Sequence, residues 1–419
     1  MTFLAAMALV LLALCGAPLF IVISAAALLA FYTLGVDHSI VIIEMYRLAA
    51  NPLLIALMLF AFAGYILAEG NSSVRLVRLS RALLGRLPGG FAVVSLLCCA
   101  FFTALTGASG VTIVALGGIL LPALLQEKYS ENFSLGLLTT SGSLGLLFPP
   151  SLPLIIYGVV TSTSIGDLFL AGILPGMLMI GVLSLYCIHK GYTLGLRGDS
   201  SFSLPEVCRA AWEAKWEIML PVVVLGGIFS GVFVLSEAAA VTALYVLLVE
   251  LFVHRELSIK DMATPIMKTV MMVGGIILIL GASLAFNAFL IDQQIPGRIL
   301  EFMQERVTSK FVFLLLLNLF LLAVGCVLDV FSALVIVVPI ILPMAAGYDI
   351  HPVHLGIVFL TNLQIGYSTP PIGMNLFIAG LRFEKPMLRL YWASLPFLLL
   401  LLFSLALITF IPYLSLFWL

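Results

Sequence analysis

The chain twice sets adjacent prolines inside a long apolar run: "SGSLGLLFPPSLPLIIYG" over residues 141–158 and "NLQIGYSTPPIGMNLFIA" over 362–379. Proline removes a helical hydrogen bond and clashes with the preceding turn. In hydrocarbon each unsatisfied backbone group costs several kcal/mol. Breakers at membrane depth therefore need a partner that re-satisfies the freed backbone, or a cavity that uses it. The membrane setting follows from composition. Of 419 residues, 63% are hydrophobic and 9% charged, more apolar surface than a soluble chain of this length could bury.

Apolar runs predict spanning helices near 3–34, 51–69, 131–162, 165–188, 217–234, 236–254, 264–290, 352–382 and 388–416. The N-terminus lacks a basic leader region and reads as a retained helix rather than a signal peptide. Two further regions, 89–126 and 310–347, each hold two short legs joined by a small-residue tip, "TGASG" at 106–110 and "LDVFS" at 328–332. Legs of 91–105 and 111–125 would reach only ~22 Å at 1.5 Å per residue, against ~30 Å of hydrocarbon. That length predicts re-entrant hairpins.

Charge supports the alternation. With the Arg-rich stretch 70–90 in the cytoplasm, all of the 19 Lys and Arg residues except Arg47, Arg298, Arg306 and Lys310 fall inside. The first hairpin then opens to the cytoplasm and the second to the opposite side.

The two halves also repeat. Pro122, Gly145, Pro149 and Pro150 match Pro343, Gly366, Pro370 and Pro371, and Ser141 matches Asn362, all offset by 221 residues. An odd number of crossings between equivalent hairpins makes the repeats inverted. Interrupted segments in matching positions of inverted halves point to a secondary transporter's midplane site. Unwound carbonyls there suit a hard cation such as Na⁺, and helix N-termini suit a carboxylate.

The stretches "GASGVTIVALGGILLPAL", "GLLTTSGSLGLLFPPSLPLIIYG", "LDVFSALVIVVPIILP" and "HPVHLGIVFLTNLQIGYSTPPIGMNLF" resemble the large membrane subunit (DctM-like large permease) of tripartite ATP-independent periplasmic (TRAP) transporters, over nearly the whole chain. The resemblance implies an all-α polytopic fold of the ion transporter superfamily, with two inverted repeats, each holding a re-entrant hairpin and a Pro-Pro-broken helix. It implies a Na⁺-coupled elevator importer of carboxylates, such as a C4-dicarboxylate or sialic acid, in the bacterial inner membrane. The implied partners are a periplasmic substrate-binding protein and a separate small four-helix membrane subunit. No transition metal or organic cofactor is expected.

Carried over by motif, the first sodium site would use carbonyls at Thr106, Ala108, Gly145, Phe148 and Pro150, and the second would lie around Asp329, Gly366, Thr369 and Pro371. Substrate would sit near Ser141, Ser143, Pro149, Thr369 and Asn375. The expected organisation is scaffold helices over 1–70, a cytoplasmic arm helix at 71–90, and the first transport half at 91–188. A cytoplasmic amphipathic loop and scaffold helices follow at 189–290, then a periplasmic-side arm at 291–309 and the second transport half with the last helix at 310–419.

Single residues add detail. Asp329, the one acid at a hairpin tip, reads as a helix cap, with Ser332 helping, that also shapes a cation site. Asn318 and Asn362 read as helix-to-helix hydrogen-bonding residues. Glu250 and His254 read as an interfacial pair, not a proton relay. His38, His189, His351 and His354 fall at predicted segment ends and read as interfacial. Trp212, Trp216, Trp392 and Trp418 fit interface anchoring, and 202–216 reads as an amphipathic surface helix. The six cysteines, Cys15, Cys98, Cys99, Cys187, Cys208 and Cys326, form no metal or disulfide pattern.

Two other readings compete. One is a stand-alone Na⁺- or H⁺-coupled carboxylate symporter, or an ion antiporter, of similar architecture. The other is an intramembrane serine protease built on the "GASG" of 107–110, which would need a histidine beside Ser109.

Overall fold

A computed structural model describes residues 7–9, 11–12, 17–35, 37, 39–84, 87–195 and 203–419. Cys15, His38 and Arg86 lie outside the described residues. The chain folds into helices joined by short turns: α1 (Leu19–Leu34), α2 (Ser39–Ala49), α3 (Pro52–Glu69), α4 (Ser72–Leu84), α5 (Gly90–Thr106), α6 (Ser109–Gln126), α7 (Glu131–Ser141), α8 (Leu152–Thr161), α9 (Ile165–Thr193) and α10 (Leu204–Glu213). The second half continues with α11 (Lys215–Phe229), α12 (Leu235–Leu248), α13 (Ala263–Asp292), α14 (Ile295–Gln304), α15 (Lys310–Val327), α16 (Val330–Ala346), α17 (Pro352–Gly366), α18 (Met374–Phe383), α19 (Met387–Phe410) and α20 (Tyr413–Leu416). A 3₁₀ turn at Leu144–Leu147 follows α7, and a π-helical turn at Val249–His254 continues α12.

Among the described residues, seven helices are long and apolar enough to cross a bilayer, and an eighth crossing arises if α7 and α8 count as one bent span. The chain is thus a multi-pass membrane protein. Several boundaries differ from expectation. The hairpin legs α5 and α6 run 17 and 18 residues, longer than predicted, because Gly90 and Thr106 extend α5 and Ser109, Gly110 and Gln126 extend α6. By length and composition α6 and α15 pass as spans. The predicted helix 3–34 is interrupted in its described part: residues 7–9 and 11–12 are helical, and α1 starts afresh at Leu19 with Pro18 at its N-cap. The predicted helix 217–234 stops at Phe229, where Gly231 turns the chain at φ +74°. The last helix ends at Phe410, just before Pro412.

Polar caps sit where the apolar runs begin. Asn51 caps α3 ahead of Pro52, and Ser130 caps α7. His351 caps α17, and Asp329 caps α16. Ser130 and His351 are one repeat apart, as are Ala108 and Asp329 at the starts of α6 and α16.

Packing follows the repeat. Helix α12 lies on α3, and α13 lies on α1, α2 and α3. In the rest of the molecule the halves cross over. Leg α6 packs on α18, and its equivalent α16 packs on α8. Helix α7 packs on α19, and its equivalent α17 packs on α9. The two sets meet where Gly64 of α3 lies against the tip of the first hairpin. A Cβ at Gly64 would stand 2.5 Å from the Leu105 carbonyl oxygen and 2.7 Å from Thr106 Cα, so only glycine allows that approach.

Ion pairs join the segments predicted to share the cytoplasmic side: Arg78 with Glu206 and Glu213, Arg81 with Glu127, Lys268 with Glu69, and Lys385 and Arg389 with Glu131. At the predicted opposite side, Lys310 donates to the Asp349 carbonyl at 2.7 Å and Tyr348 to that of Val307 at 2.7 Å.

Candidate functional site

The first break begins where α7 stops at Ser141. One 3₁₀ turn follows, then extended backbone through Pro149 and Pro150, until Ser151 caps α8. The chain bends by 44° across this break. The second break runs from Gly366 to Gly373, and Gly373 starts α18 at φ +54°. Both Pro-Pro bonds are cis. The breaks differ in exposure: Pro149 and Pro150 are buried, while Pro370, Pro371 and Ile372 are exposed.

Each break is pressed against a hairpin at equivalent points. A Cβ on Gly145 would sit 2.2 Å from the Ala100 carbonyl oxygen and 2.4 Å from Ala104 N. A Cβ on Gly366 would sit 2.7 Å from the Cα and carbonyl carbon of Gly325. Ala104 and Gly325 are themselves repeat partners. The carbonyl of Gly145 accepts from Phe148 N at 3.0 Å, and that of Gly366 from Thr369 N at 2.9 Å. A carbonyl has two lone pairs, so each keeps capacity for a further ligand.

Hydrogen bonds then stitch tip to break. At the first tip, Thr103 donates to the Gly142 carbonyl at 2.7 Å and lies 2.6 Å from the Thr112 hydroxyl on the other leg. Gly107 turns the tip at φ +66°, with no room for a Cβ beside Leu152. Thr106 bonds back to the Phe102 carbonyl, and the Ala108 carbonyl accepts from Thr112 N at 3.4 Å.

At the second tip, Tyr367 accepts from Val330 N. Gly373 N donates to the Cys326 carbonyl at 3.1 Å, and Cys326 Sγ to that of Thr369 at 3.3 Å. Asp329 caps as expected: one oxygen accepts from the N–H groups of Phe331 and Ser332 at 3.0 and 3.1 Å, and the other from the Ser332 hydroxyl. Both its oxygens are therefore engaged in the cap. The Pro371 carbonyl accepts from Tyr391.

Of the residues singled out for substrate, Ser143 and Asn375 bond across the seam between the halves. Ser143 donates to the Gln364 carbonyl at 3.0 Å, and these two residues are separated by 221 positions. A residue bonded to its own repeat equivalent marks the point where the two halves meet. Asn375, fully buried, donates to the Thr139 carbonyl at 3.3 Å and leaves its Oδ1 unpartnered, as does Gln364 its Oε1. Ser141 donates to the Leu138 carbonyl of its own helix at 3.4 Å. Thr369 bonds back to Ile365.

Two cavities flank this seam. One of about 500 Å³ lies among α4, α5, α9 and α11 and reaches Phe148 and Pro149. The other, of about 710 Å³, lies between α3 and α13 on one side and α6 and α18 on the other, with Gly110, Lys268 and Glu69 in its wall.

Two sequence readings need correction. His354 is not interfacial. It is 2% exposed and bonds the hydroxyl of Ser415 at 2.6 Å and the Thr409 carbonyl at 3.3 Å. It extends the network in which Asn362 donates to Asn318 at 2.7 Å and Asn318 to Thr409 at 3.1 Å, so the two asparagines do join helices as expected. Burial wins because α15, α19 and α20 pack around α17. Second, Glu250 and His254 do not pair. Glu250 turns to Ser72 and Arg75, and His254 to Glu217 at 3.8 Å, because the π-helical turn separates their directions. Of the remaining histidines, His189 and His351 are exposed. Cys98, Cys99, Cys187 and Cys326 are buried free thiols, and Cys208 is exposed.

Sequence reasoning overlooked Thr103, Thr112, Tyr367 and Gln364. The offset itself would have found Gln364, as the partner of Ser143. Tyr367 carries no signal beyond following Gly366.

Fold and site together define a polytopic helical membrane protein of transporter type, with two broken helices held against two hairpins. Residues 3–414 match the family model described as the tripartite ATP-independent periplasmic transporter, DctM component, and the chain belongs to that family of transporter permeases. It is 34% identical to the isethionate TRAP transporter permease protein DctMQ of Oleidesulfovibrio alaskensis over 96% of this chain and 64% of that protein's length. It is 33% identical to the C4-dicarboxylate TRAP transporter large permease protein DctM of Rhodobacter capsulatus over 89% of this chain and 87% of the relative. Among solved structures, the Alcanivorax borkumensis YdaH transporter superposes with a TM-score of 0.58, at 16% identity over 90% of this chain and 88% of that one. That likeness concerns the fold.

Proposed function

We propose that the chain is the large membrane subunit of a Na⁺-coupled importer of an organic anion in a bacterial inner membrane. It works with a small four-helix membrane subunit and a periplasmic binding protein. Two inverted repeats carry re-entrant hairpins, and the hairpin domain moves as an elevator against scaffold helices, braced by α4 and α14. The observation that carries this reading is the bond between Ser143 and Gln364, with the reciprocal packing of each hairpin on the other half's broken helix. Such an arrangement builds one site from both halves at the centre of the molecule.

Sodium would be held by oxygens of Thr106, Ala108, Gly145, Phe148 and Pro150 at the first break, and around Asp329, Gly366, Thr369 and Pro371 at the second. The donor set fits: hard carbonyl oxygens, with no Lys or Arg in either hairpin tip. The anion would sit near Ser141, Ser143, Pro149, Thr369 and Asn375, facing amide dipoles and hydroxyls, and the Nδ2 of Asn375 once that amide turns away from the Thr139 carbonyl. Relatives named for isethionate, C4-dicarboxylates, ectoine and sialic acid support a small charged substrate.

Reconstitution tests the proposal. Proteoliposomes holding this chain and the small subunit are expected to take up labelled substrate only with the loaded binding protein outside and an inward sodium gradient. Uptake by this chain alone refutes the tripartite reading in favour of a stand-alone symporter. Uptake that ignores sodium refutes the coupling.

A further inference from the structure

The densest charge cluster away from the breaks lies where α4 meets α11 and the end of α12. Arg75 is its hub. Its Nε contacts Glu217 Oε1 at 2.5 Å, its Nη2 lies 3.3 Å from Glu250 Oε1, and its Nη1 bonds Glu256 Oε1. Three carboxylates thus share one guanidinium. Glu217 is 2% exposed and Glu250 0%.

Neighbouring cations are occupied elsewhere. Arg78 pairs with Glu206 and Glu213, Arg81 with Glu127, and Lys268 with Glu69. Lys215 lies over the rings of Trp212 and Trp216, and Arg255 donates to the Phe252 carbonyl. His254 faces Glu217 at 3.8 Å, with its Nε2 unpartnered.

A buried carboxylate without a matching positive charge takes up a proton instead of staying ionised. Geometry selects which one. Glu217 holds the close Nε contact. Glu256 holds Arg75 Nη1 and also accepts from Asn71 N at 2.7 Å, with a side chain 20% exposed. Glu250 receives only the Ser72 hydroxyl at 3.1 Å and the more distant guanidinium nitrogen, both on one oxygen. Its other oxygen, like Glu217 Oε2, is buried and has no partner. That oxygen faces Gly70, where a Cβ would come within 2.7 Å. Glu217 and Glu250 also wall a cavity of about 10 Å³ with Trp216, Tyr245 and Leu220, the scale of one water at most.

We propose that Glu250 holds a proton at neutral pH, making this cluster a proton-binding site that fastens the arm helix α4 to the ends of α11 and α12. Loss of the proton puts a second uncompensated charge beside Glu217 and loosens α4, which packs on the first hairpin leg α5. A proton bound only in the folded state gives stability that is present at low pH and lost as pH rises.

The test uses the purified full-length chain in nanodiscs. Wild type is expected to lose thermal stability from mildly acid to mildly alkaline pH and to show the infrared band of a protonated carboxyl in the folded state. Glu250→Gln keeps the shape and hydrogen-bonding capacity of the protonated acid. It is expected to match wild type at neutral pH, to flatten the alkaline decline and to lack the infrared band. Glu217→Gln removes a negative charge beside Glu250 and frees Arg75 to pair with it, so the infrared band is expected to disappear at lower pH than in wild type. The proposal is overturned if Glu250→Gln fails to fold, melts as early as Glu250→Ala, or retains the band. A sodium-dependent recovery of wild-type stability at alkaline pH would likewise overturn it, since it would make the occupant a metal cation.

Discussion

Replacing Gly366 by alanine isolates the contact on which the second half of the site depends. The new methyl would lie 2.7 Å from the Cα and carbonyl carbon of Gly325 and 3.1 Å from Cys326 N. Carbon atoms rest at about 3.5–4.0 Å, so α17 and α15 must part by roughly 1 Å. The obstacle is backbone, which cannot swing aside as a side chain does. Overpacking of this kind costs about 1–3 kcal/mol, while alanine returns at most about 1 kcal/mol of helix propensity. Gly275 in α13 supplies the control, because a Cβ there meets nothing within 4 Å. Gly275→Ala should therefore be neutral or slightly stabilising, and because the propensity gain is common to both, the difference between the variants is about 1–3 kcal/mol. Thermal unfolding in nanodiscs, with and without sodium, measures it. A ligand that binds only the folded state stabilises by mass action, so Gly366→Ala should also lose part of any stabilisation by sodium. Equal melting temperatures for Gly366→Ala and Gly275→Ala would refute the packing argument.

Three further outcomes are expected. Asp329→Ala removes the cap of α16 and should destabilise by about 1 kcal/mol, with Asp329→Asn closer to wild type; equal losses in denaturation would show that charge, not capping, matters. Tyr367→Phe leaves Val330 N without its partner in a buried setting, costing about 1–3 kcal/mol, and hydrogen exchange at the second tip should accelerate. For Glu256, burial favours the neutral acid, but the Asn71 N–H and Arg75 outweigh it, so its folded-state pKa lies below the ordinary value. That stabilisation is present above the unfolded-state pKa and is lost as pH falls through the folded one; acid melting curves of Glu256→Gln should lack this limb, distinct from the alkaline limb assigned to Glu250.

Much of the architecture was legible because it is written in breakers and spacing. The Pro-Pro pairs located both interruptions, since proline cannot donate and ends a helix wherever it falls. The small tips marked the hairpins, and the constant offset from Pro122 to Pro343 revealed the duplication. Asp329 and Ser332 announced their cap because capping is local. Hairpin leg lengths were underestimated, because small and polar residues such as Gly90, Thr106, Ser109 and Gly110 read as turn but continue the helices.

By itself, the amino-acid sequence determined the membrane class, the two breaks, the repeat and the family, all properties of local chemistry or of spacing along the chain. Tertiary structure alone decided which hairpin meets which break, that Ser143 bonds its own repeat partner, that His354 is buried, and that Arg75 collects three carboxylates. Each of these joins residues far apart in sequence. Composition states how much charge and apolar surface a chain carries, but only packing decides which groups lose water together and must satisfy one another.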